Sequence, residues 1–246
     1  MEPTPTGRVA LITGGARRVG RAIVESLAGA GFDVAFTYFH SQRDAADLVQ
    51  TIRALGRRVE AIRADLTQPQ QEMDEIGRVI DQRLGRLDVL VNNASIYEPG
   101  SLAAVTLEQM RQAWAIHAEA PLLLCRQFQS QLRQHHGQVI NMVDLLVERP
   151  WPEYLAYCAS KAALANLTLS LAREMAPEVT VNGIAPGVVE WPSDYPDTEK
   201  VRYLKRVPLA RPGTPREVAD LVLFLCTGGS YITGQILRLD GGRSIT

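Results

Sequence analysis

Val9-Ala10-Leu11-Ile12-Thr13-Gly14-Gly15-Ala16-Arg17-Arg18-Val19-Gly20 is the stretch that decides the fold. A short apolar, β-branched run ends in a glycine-bearing turn, and the turn opens an amphipathic stretch of helical length. Gly14 permits a tight turn, and Gly20 permits a close approach of helix to strand. The helix N-terminus offers free N–H groups and partial positive charge, which suit a pyrophosphate. A glycine-rich turn alone is weak evidence. Set between a first strand and a first helix, it reads as a dinucleotide cradle, with Gly14, Arg17, Arg18 and Val19 as candidate contacts.

Outward from this stretch the same alternation repeats. Strands are expected at 9–13, 34–38, 59–63, 89–92, 139–142, 179–184 and 236–239. Helices are expected near 19–30, 43–55, 69–83, 107–134, 154–175 and 215–226. This rhythm predicts an α/β fold: a single doubly wound domain over 1–246, with a mainly parallel seven-stranded sheet and helices on both faces. Ligands of such sheets bind beyond the carboxyl ends of the strands, so residues just after strands are the candidates for function. Residues 1–7 read as an N-terminal tail. The stretch 190–213 breaks the rhythm: from Tyr195 on it is polar and Pro-rich, with short helical potential around 198–206. It reads as a mobile substrate-loop segment or as an ordinary surface excursion.

Bulk properties narrow the function. A chain of 246 residues fits one large α/β domain, and 46% hydrophobic with 22% charged residues is ordinary for a soluble protein. A net charge of −1 gives no reason to expect nucleic acid or an anionic membrane as partner. The first residues lack the basic and apolar regions of a secretory signal, and the apolar run 221–226 is far short of the ~20 residues that span a bilayer. Cys125, Cys158 and Cys226 are odd in number and lie in apolar segments, as expected of buried free thiols in a reducing, cytoplasmic compartment. No spacing points to a metal site, and His135-His136 reads as a solvated helix end.

The second strand ends in Tyr38-Phe39-His40-Ser41, with no acidic residue to accept from a ribose 2′-hydroxyl. His40, Ser41 and Arg17 suit a 2′-phosphate instead, which favours NADPH; His40 also reads as a plain surface histidine. Asp33 lies at the wrong end of that strand. After the third strand, Asp65 with Leu66 is placed to meet adenine, or else serves as a turn or cap. Asn92-Asn93-Ala94-Ser95 closes the fourth strand, where the carboxamides can tie backbone segments together beneath a nicotinamide. Pro186-Gly187-Val188 follows the sixth strand, where it can line the nicotinamide carboxamide.

Tyr157 and Lys161 are spaced i, i+4, so both lie on one face of a helix. The chain has three lysines, Lys161, Lys200 and Lys205, which makes that pairing informative. A nearby ammonium favours phenolate and is expected to lower the Tyr157 pKa toward the working range.

The series Thr13-Gly14 to Gly20, Asn92-Asn93-Ala94, Tyr157 with Lys161, Pro186-Gly187 and Asp240-Gly241-Gly242 resembles the short-chain dehydrogenase/reductase family over essentially the whole chain. The resemblance implies a Rossmann-type fold, a homotetramer, and a catalytic set of Asn, Ser, Tyr and Lys. Three positions depart from that pattern. Asp144 stands thirteen before Tyr157 in place of the Ser, Arg18 replaces the middle glycine of the nucleotide motif, and His117 replaces the helix Asn. With Ser95 and Tyr97, the combination is similar to the pteridine reductase branch, which includes bacterial dihydromonapterin and dihydrofolate reductases.

That branch implies reduction of a dihydropterin or dihydrofolate. Tyr157 is then the proton donor, Lys161 tunes it and holds the nicotinamide ribose, and Asp144 relays protons. Arg18, Ser95, Tyr97, Asp144 and Tyr157 are the candidate substrate contacts. Tyr97 stacks on the pterin face; Arg18 reaches the pterin edge or serves only the phosphates. Asp144 also reads as a turn cap, Tyr97 as ordinary packing, and His117 as a satisfied structural histidine. The rival readings are a carbonyl reductase acting on 3-oxoacyl thioesters or ketones, and a non-catalytic NADP-binding sensor.

Overall fold

The structure, a computed structural model, describes residues 7–191 and 195–246. Residues 1–6 of the expected tail and 192–194 of the expected substrate segment lie outside the described residues.

In β1 (Val9–Ile12), Val9 and Leu11 face one core while Ala10 and Ile12 face the other, and all four are fully buried. Successive strand side chains point to opposite faces, so a continuous apolar run is what a strand covered on both faces requires. Each large side chain so buried contributes about 1.5–3 kcal/mol. The helices follow the expected order. They are α1 (Arg18–Gly29), α2 (Gln42–Ala54), α3 (Pro69–Val79), α4 (Leu107–Trp114), α5 (Ala120–Gln134), α6 (Leu155–Glu174), α7 (Asp197–Leu204) and α8 (Pro215–Thr227). Ile23, Leu27, Leu48 and Val222 of α1, α2 and α8 fill one core; Ile76, Leu124, Phe128 and Leu171 of α3, α5 and α6 fill the other.

The remaining strands are β2 (Asp33–Tyr38), β3 (Val59–Arg63), β4 (Val89–Asn92), β5 (Gln138–Met142), β6 (Thr180–Pro186) and β7 (Ile236–Leu239). All seven pair in parallel in the order β3-β2-β1-β4-β5-β6-β7. The strand order therefore reverses at β1 and β4, whose carboxyl ends flank the switch point where ligands of such sheets bind. The outer strands β3 and β7 are only partly covered, which is why they carry Glu60 and Arg238 where β1 carries none.

The amino-terminal edge of the sheet is closed by charged residues. Asp88 accepts from the Val9 N–H at 2.8 Å and pairs with Arg86 at 2.6 Å. Asp33, at the start of β2, pairs with Arg58 at 2.7 Å. The expectation that Asp33 sits at the wrong end for a ribose therefore holds, and its partner explains its presence.

The stretch 107–134 is helical throughout but not uniform, because a π-helical turn over Ala115–Glu119 separates α4 from α5. Pro121 has no N–H for the carbonyl four residues back, that of His117, and a locally widened turn accommodates such a residue. A second π turn, Ile80–Leu84, extends α3 and stops at Gly85 in the left-handed conformation. Two capping boxes, Thr106 with Gln109 and Thr214 with Glu217, start α4 and α8. Each cap stabilises its helix by about 1 kcal/mol. Among the described residues, no helix is long and apolar enough to cross a membrane.

Gly20 fits the reason expected of it. A Cβ there would run into the Gly14 carbonyl oxygen and come within 2.7 Å of Asn93 Nδ2. Gly20→Ala is therefore expected to lower the unfolding free energy by about 1–3 kcal/mol, as overpacking does. Urea unfolding measures this, and an unchanged midpoint would show that the contact can relax freely.

Candidate active site

The site begins at the switch point. Thr13, just after β1, accepts at Oγ1 from the N–H groups of Asn93 and Ala94, each at 2.9 Å. Asn93 Nδ2 donates back to the carbonyls of Thr13 and Gly14 at 2.9 and 3.1 Å. The expected role of this carboxamide, tying segments together, is thus seen in the structure. Asn92, one residue earlier, bonds Asn141 on β5 at 2.8 Å.

Gly14 has φ +63°, and a Cβ on it would lie 2.9 Å from Ala94 Cα. Together with Gly20 it keeps side chains out of the hollow in front of α1, and these residues fit a dinucleotide pyrophosphate. Ser41 caps α2 without a side-chain bond, His40 is exposed against Phe39, and Arg17 lies 3.7 Å from Asp44. Arg17 thus reaches the first turn of α2, which His40 and Ser41 precede. Asp65 accepts from the Thr67 N–H and hydroxyl at 3.0 and 2.7 Å, so it shapes a turn; Leu66 is buried beside it.

Arg18 is the first residue of α1 and has φ +52°. Left-handed backbone costs a non-glycine residue roughly 1–2 kcal/mol, so a glycine would be easier here. Its guanidinium pairs with the Glu190 carboxylate at 2.7 Å and donates to the Glu190 carbonyl at 3.2 Å.

At the carboxyl end of β5, Tyr157 Oη donates to Asp144 Oδ2 at 2.6 Å. Asp144 Oδ1 accepts from the Leu146 N–H at 2.8 Å, so the same carboxylate also caps the 3₁₀ turn Leu145–Val147. The capping reading of Asp144 is thus seen directly, and the same carboxylate is also bonded to Tyr157. Lys161, one turn along α6 from Tyr157, is buried, and its Nζ donates to the Met142 carbonyl at 2.6 Å. Its Nζ lies 5.8 Å from the centre of the Tyr157 ring.

The electrostatics correct one expectation. Tyr157 is pushed well above the ordinary tyrosine range, first by burial and then by the Asp144 charge. The lowering expected from Lys161 is not seen, because the hydroxyl is bonded to a carboxylate whose charge acts in the opposite direction. Burial also raises Asp144, against the opposing pull of Tyr157, Leu146 and Lys161. Tyr157 is thereby held protonated. Lys161 is pushed down to about 8 by burial, with Asp144 opposing. Its charged form exists below that pH and is lost above it. Activity expressed as kcat/KM is expected to fall as pH rises past about 8, and Lys161→Met is expected to lose that limb. A profile flat up to 10.5, where an ordinary lysine titrates, would contradict this.

In front of Tyr157 lies a cavity of about 370 Å³, within the range of small-molecule pockets. Arg18, Tyr97, Asp144, Pro186, Gly187 and Val188 all line it, so the expected residues converge there. Tyr97 stacks on Tyr154 (ring centres 4.2 Å apart) and meets Tyr157 edge to face at 4.7 Å. Ser95 does not reach the cavity; its hydroxyl lies 2.8 Å from His117 Nε2.

Several lining residues had not been anticipated: Trp151, Tyr154, Trp191, Tyr203, Arg149 and Arg243. Tyr154, three residues before Tyr157, carried a positional signal, because i and i+3 share a helix face. Trp191 and Tyr203 fall in the segment 190–213, which was expected over the site only as a whole. Trp151 and Arg243 carried no local signal.

Comparison with known proteins agrees with this geometry. Residues 14–244 match the family described as enoyl-(acyl carrier protein) reductase. Pteridine reductase 1 of Leishmania tarentolae is 33% identical, over 100% of this chain and 99% of the relative. The 3-oxoacyl-[acyl-carrier-protein] reductase FabG of Aquifex aeolicus is 31% identical, over 98% and 99%. Among solved structures, a blue fluorescent protein from a metagenomic library in complex with NADPH superposes with a TM-score of 0.90 at 37% identity, over 96% and 98% of the two chains. FolM alternative dihydrofolate reductase 1 from Brucella canis, complexed with NADP, superposes at 0.87 with 32% identity, over 97% and 95%. The chain belongs to the short-chain dehydrogenase/reductase family and is an NADPH-dependent oxidoreductase. Its likeness to a pteridine reductase and to an alternative dihydrofolate reductase supports the branch expected from Arg18 and Asp144.

Proposed function

We propose that this enzyme reduces a C=N bond in the ring of a dihydropterin or dihydrofolate to the tetrahydro form. The observation that carries this reading is the 2.6 Å bond from Tyr157 to Asp144, at the position where the family places a serine. NADPH, when bound, supplies the hydride. Tyr157 supplies the proton to the ring nitrogen, and Asp144, a carboxylate at rest whose proton affinity burial raises, takes up a proton from solvent and returns it to Tyr157. Lys161 holds the nicotinamide ribose and its charge faces the pair.

The same carboxylate opposes the rival chemistry. Carbonyl reduction develops negative charge on oxygen. An ionised Asp144 about 4 Å away would cost about 4 kcal/mol at an effective dielectric of about 20. Such a penalty slows the step roughly a thousandfold. Tyr97, Tyr154, Trp151 and Tyr203 around the cavity suit a flat heteroaromatic ring, which aromatic faces hold by offset stacking. Tyr154 already covers one face of Tyr97, so the substrate ring takes the other. Arg18 keeps its side chain despite its strained backbone, which supports a role at the pterin edge as well as at the phosphates.

Gly14, Arg17, Arg18 and Val19 are proposed to meet the pyrophosphate, with His40 and Ser41 at the 2′-phosphate, Asp65 and Leu66 at adenine, and Asn93, Ala94, Pro186, Gly187 and Val188 around the nicotinamide. Tyr38 and Ser95 act beside these. A cytoplasmic homotetramer completes the proposal. The exposed Leu107, Met110 and Trp114 on one side of α4 support assembly, since a large apolar stripe favours burial.

The test is oxidation of NADPH with dihydrobiopterin, dihydromonapterin and dihydrofolate, beside acetoacetyl thioester and simple ketones. Turnover of the pterins alone is expected. Turnover of ketones alone would replace this reading with the carbonyl reductase, and tight NADPH binding without turnover of any substrate would leave a sensor.

A further inference from the structure

His117 stands where the family has an asparagine, and the chemistry above makes no use of it. It is 1% exposed, and the π turn Ala115–Glu119 directs it inward between two parts of the site. Both ring nitrogens are engaged. Nε2 lies 2.8 Å from Ser95 Oγ and accepts from the Ile96 N–H at 3.3 Å. Nδ1 lies 2.8 Å from Ser160 Oγ, and Ser160 in turn donates to the Tyr157 carbonyl at 2.8 Å.

The tautomer follows from these partners. An amide N–H can only donate, so Nε2 is the acceptor. The Ser160 hydrogen is committed to a carbonyl, so Ser160 Oγ can only accept, and Nδ1 carries the proton. Protonating Nε2 would set two donors against each other. Burial, reinforced by the Lys161 charge, holds the imidazole down to about 2, consistent with a ring that stays neutral. His117 therefore moves no proton. It connects the loop that carries Tyr97 to the helix that carries Tyr157.

The geometry points to His117 as a positioning residue: it pins the Ser95–Ile96 backbone to α6 and so fixes Tyr97 against Tyr157 for the substrate ring. This rests on the reading that Tyr97 meets that ring. Specificity for flat rings is then set partly by a residue that touches no substrate. Ser95, expected at the ligand, acts through the same link.

Two conservative variants separate the halves of the bridge. In His117→Asn the carboxamide reaches where Nδ1 lies, keeping Ser160 and releasing the loop. In His117→Gln it reaches where Nε2 lies, keeping the loop. For His117→Asn, KM for the pterin is expected to rise about tenfold, the equivalent of one lost hydrogen bond, with kcat and NADPH affinity changed much less. His117→Gln is expected to recover most of this, and neither variant adds or removes a limb in the pH profile. Amide exchange of residues 95–97, read without any substrate, is expected to quicken about tenfold in His117→Asn only.

An unchanged KM together with unchanged exchange overturns the proposal, as does a new pH limb. If His117→Asn does not fold, Ser160→Ala removes the far anchor without altering the loop, and unchanged 95–97 exchange there overturns it equally. Should the wild type prove to reduce only ketones, the pterin reading falls while the exchange measurement still judges the bridge.

Discussion

Tyr157→Phe is expected to reduce kcat for the pterin by about a thousandfold, within the range lost when a positioned general acid is removed. The phenyl ring preserves the packing of the buried Tyr157 side chain beside Leu146 and Cys158, so the fold and the cofactor cradle remain. What is lost is the hydroxyl that donates to Asp144 at 2.6 Å. Without it Asp144 rises further, because that bond is the strongest influence holding it down. NADPH affinity, measured by titration of nicotinamide fluorescence, is expected to change only a few-fold. A variant that keeps a tenth or more of wild-type kcat would remove Tyr157 from the proton path.

Asp144→Ser is expected to exchange one activity for another. Pterin turnover falls by about a hundredfold with the relay gone. Turnover of ketones and 3-oxoacyl thioesters rises by up to about a thousandfold, because the charge that opposed an oxyanion is removed. Serine is the informative replacement because Asp144 has two duties. A hydroxyl still caps the turn Leu145–Val147, so stability changes little and the kinetic effect stands apart from unfolding. Full pterin activity in this variant would end the relay, and absence of any ketone turnover would show that the carboxylate was not the barrier.

The fold was legible because each strand of the inner sheet must bury two faces, and Val9–Ile12, Val34–Phe36 and Val89–Val91 spell that out as apolar runs. Tyr157 and Lys161 were legible because helical spacing fixes which side chains share a face. The protonation of Tyr157 was not. Spacing showed the ammonium nearby but could not show that the hydroxyl turns to Asp144, thirteen residues earlier and on another element. The π turns escaped notice because hydrophobic periodicity shifts little over one widened turn, although Pro121 marked one of them. Trp151, Trp191 and Arg243 reach the cavity from segments distant in sequence, and only the folded chain brings them together.

The two edges of the sheet carry charge for different ends. At the amino-terminal edge Asp33, Arg58, Arg86 and Asp88 are spent on one another and on the backbone. At the opposite edge Asp144 and Arg18 face a cavity, with Lys161 buried behind them. Substitutions at the first edge bear on how long the protein survives, and those at the second on what it converts. A lineage descending from this chain can therefore drift in thermal tolerance and in substrate along nearly separate mutational routes, neither change having to wait for the other.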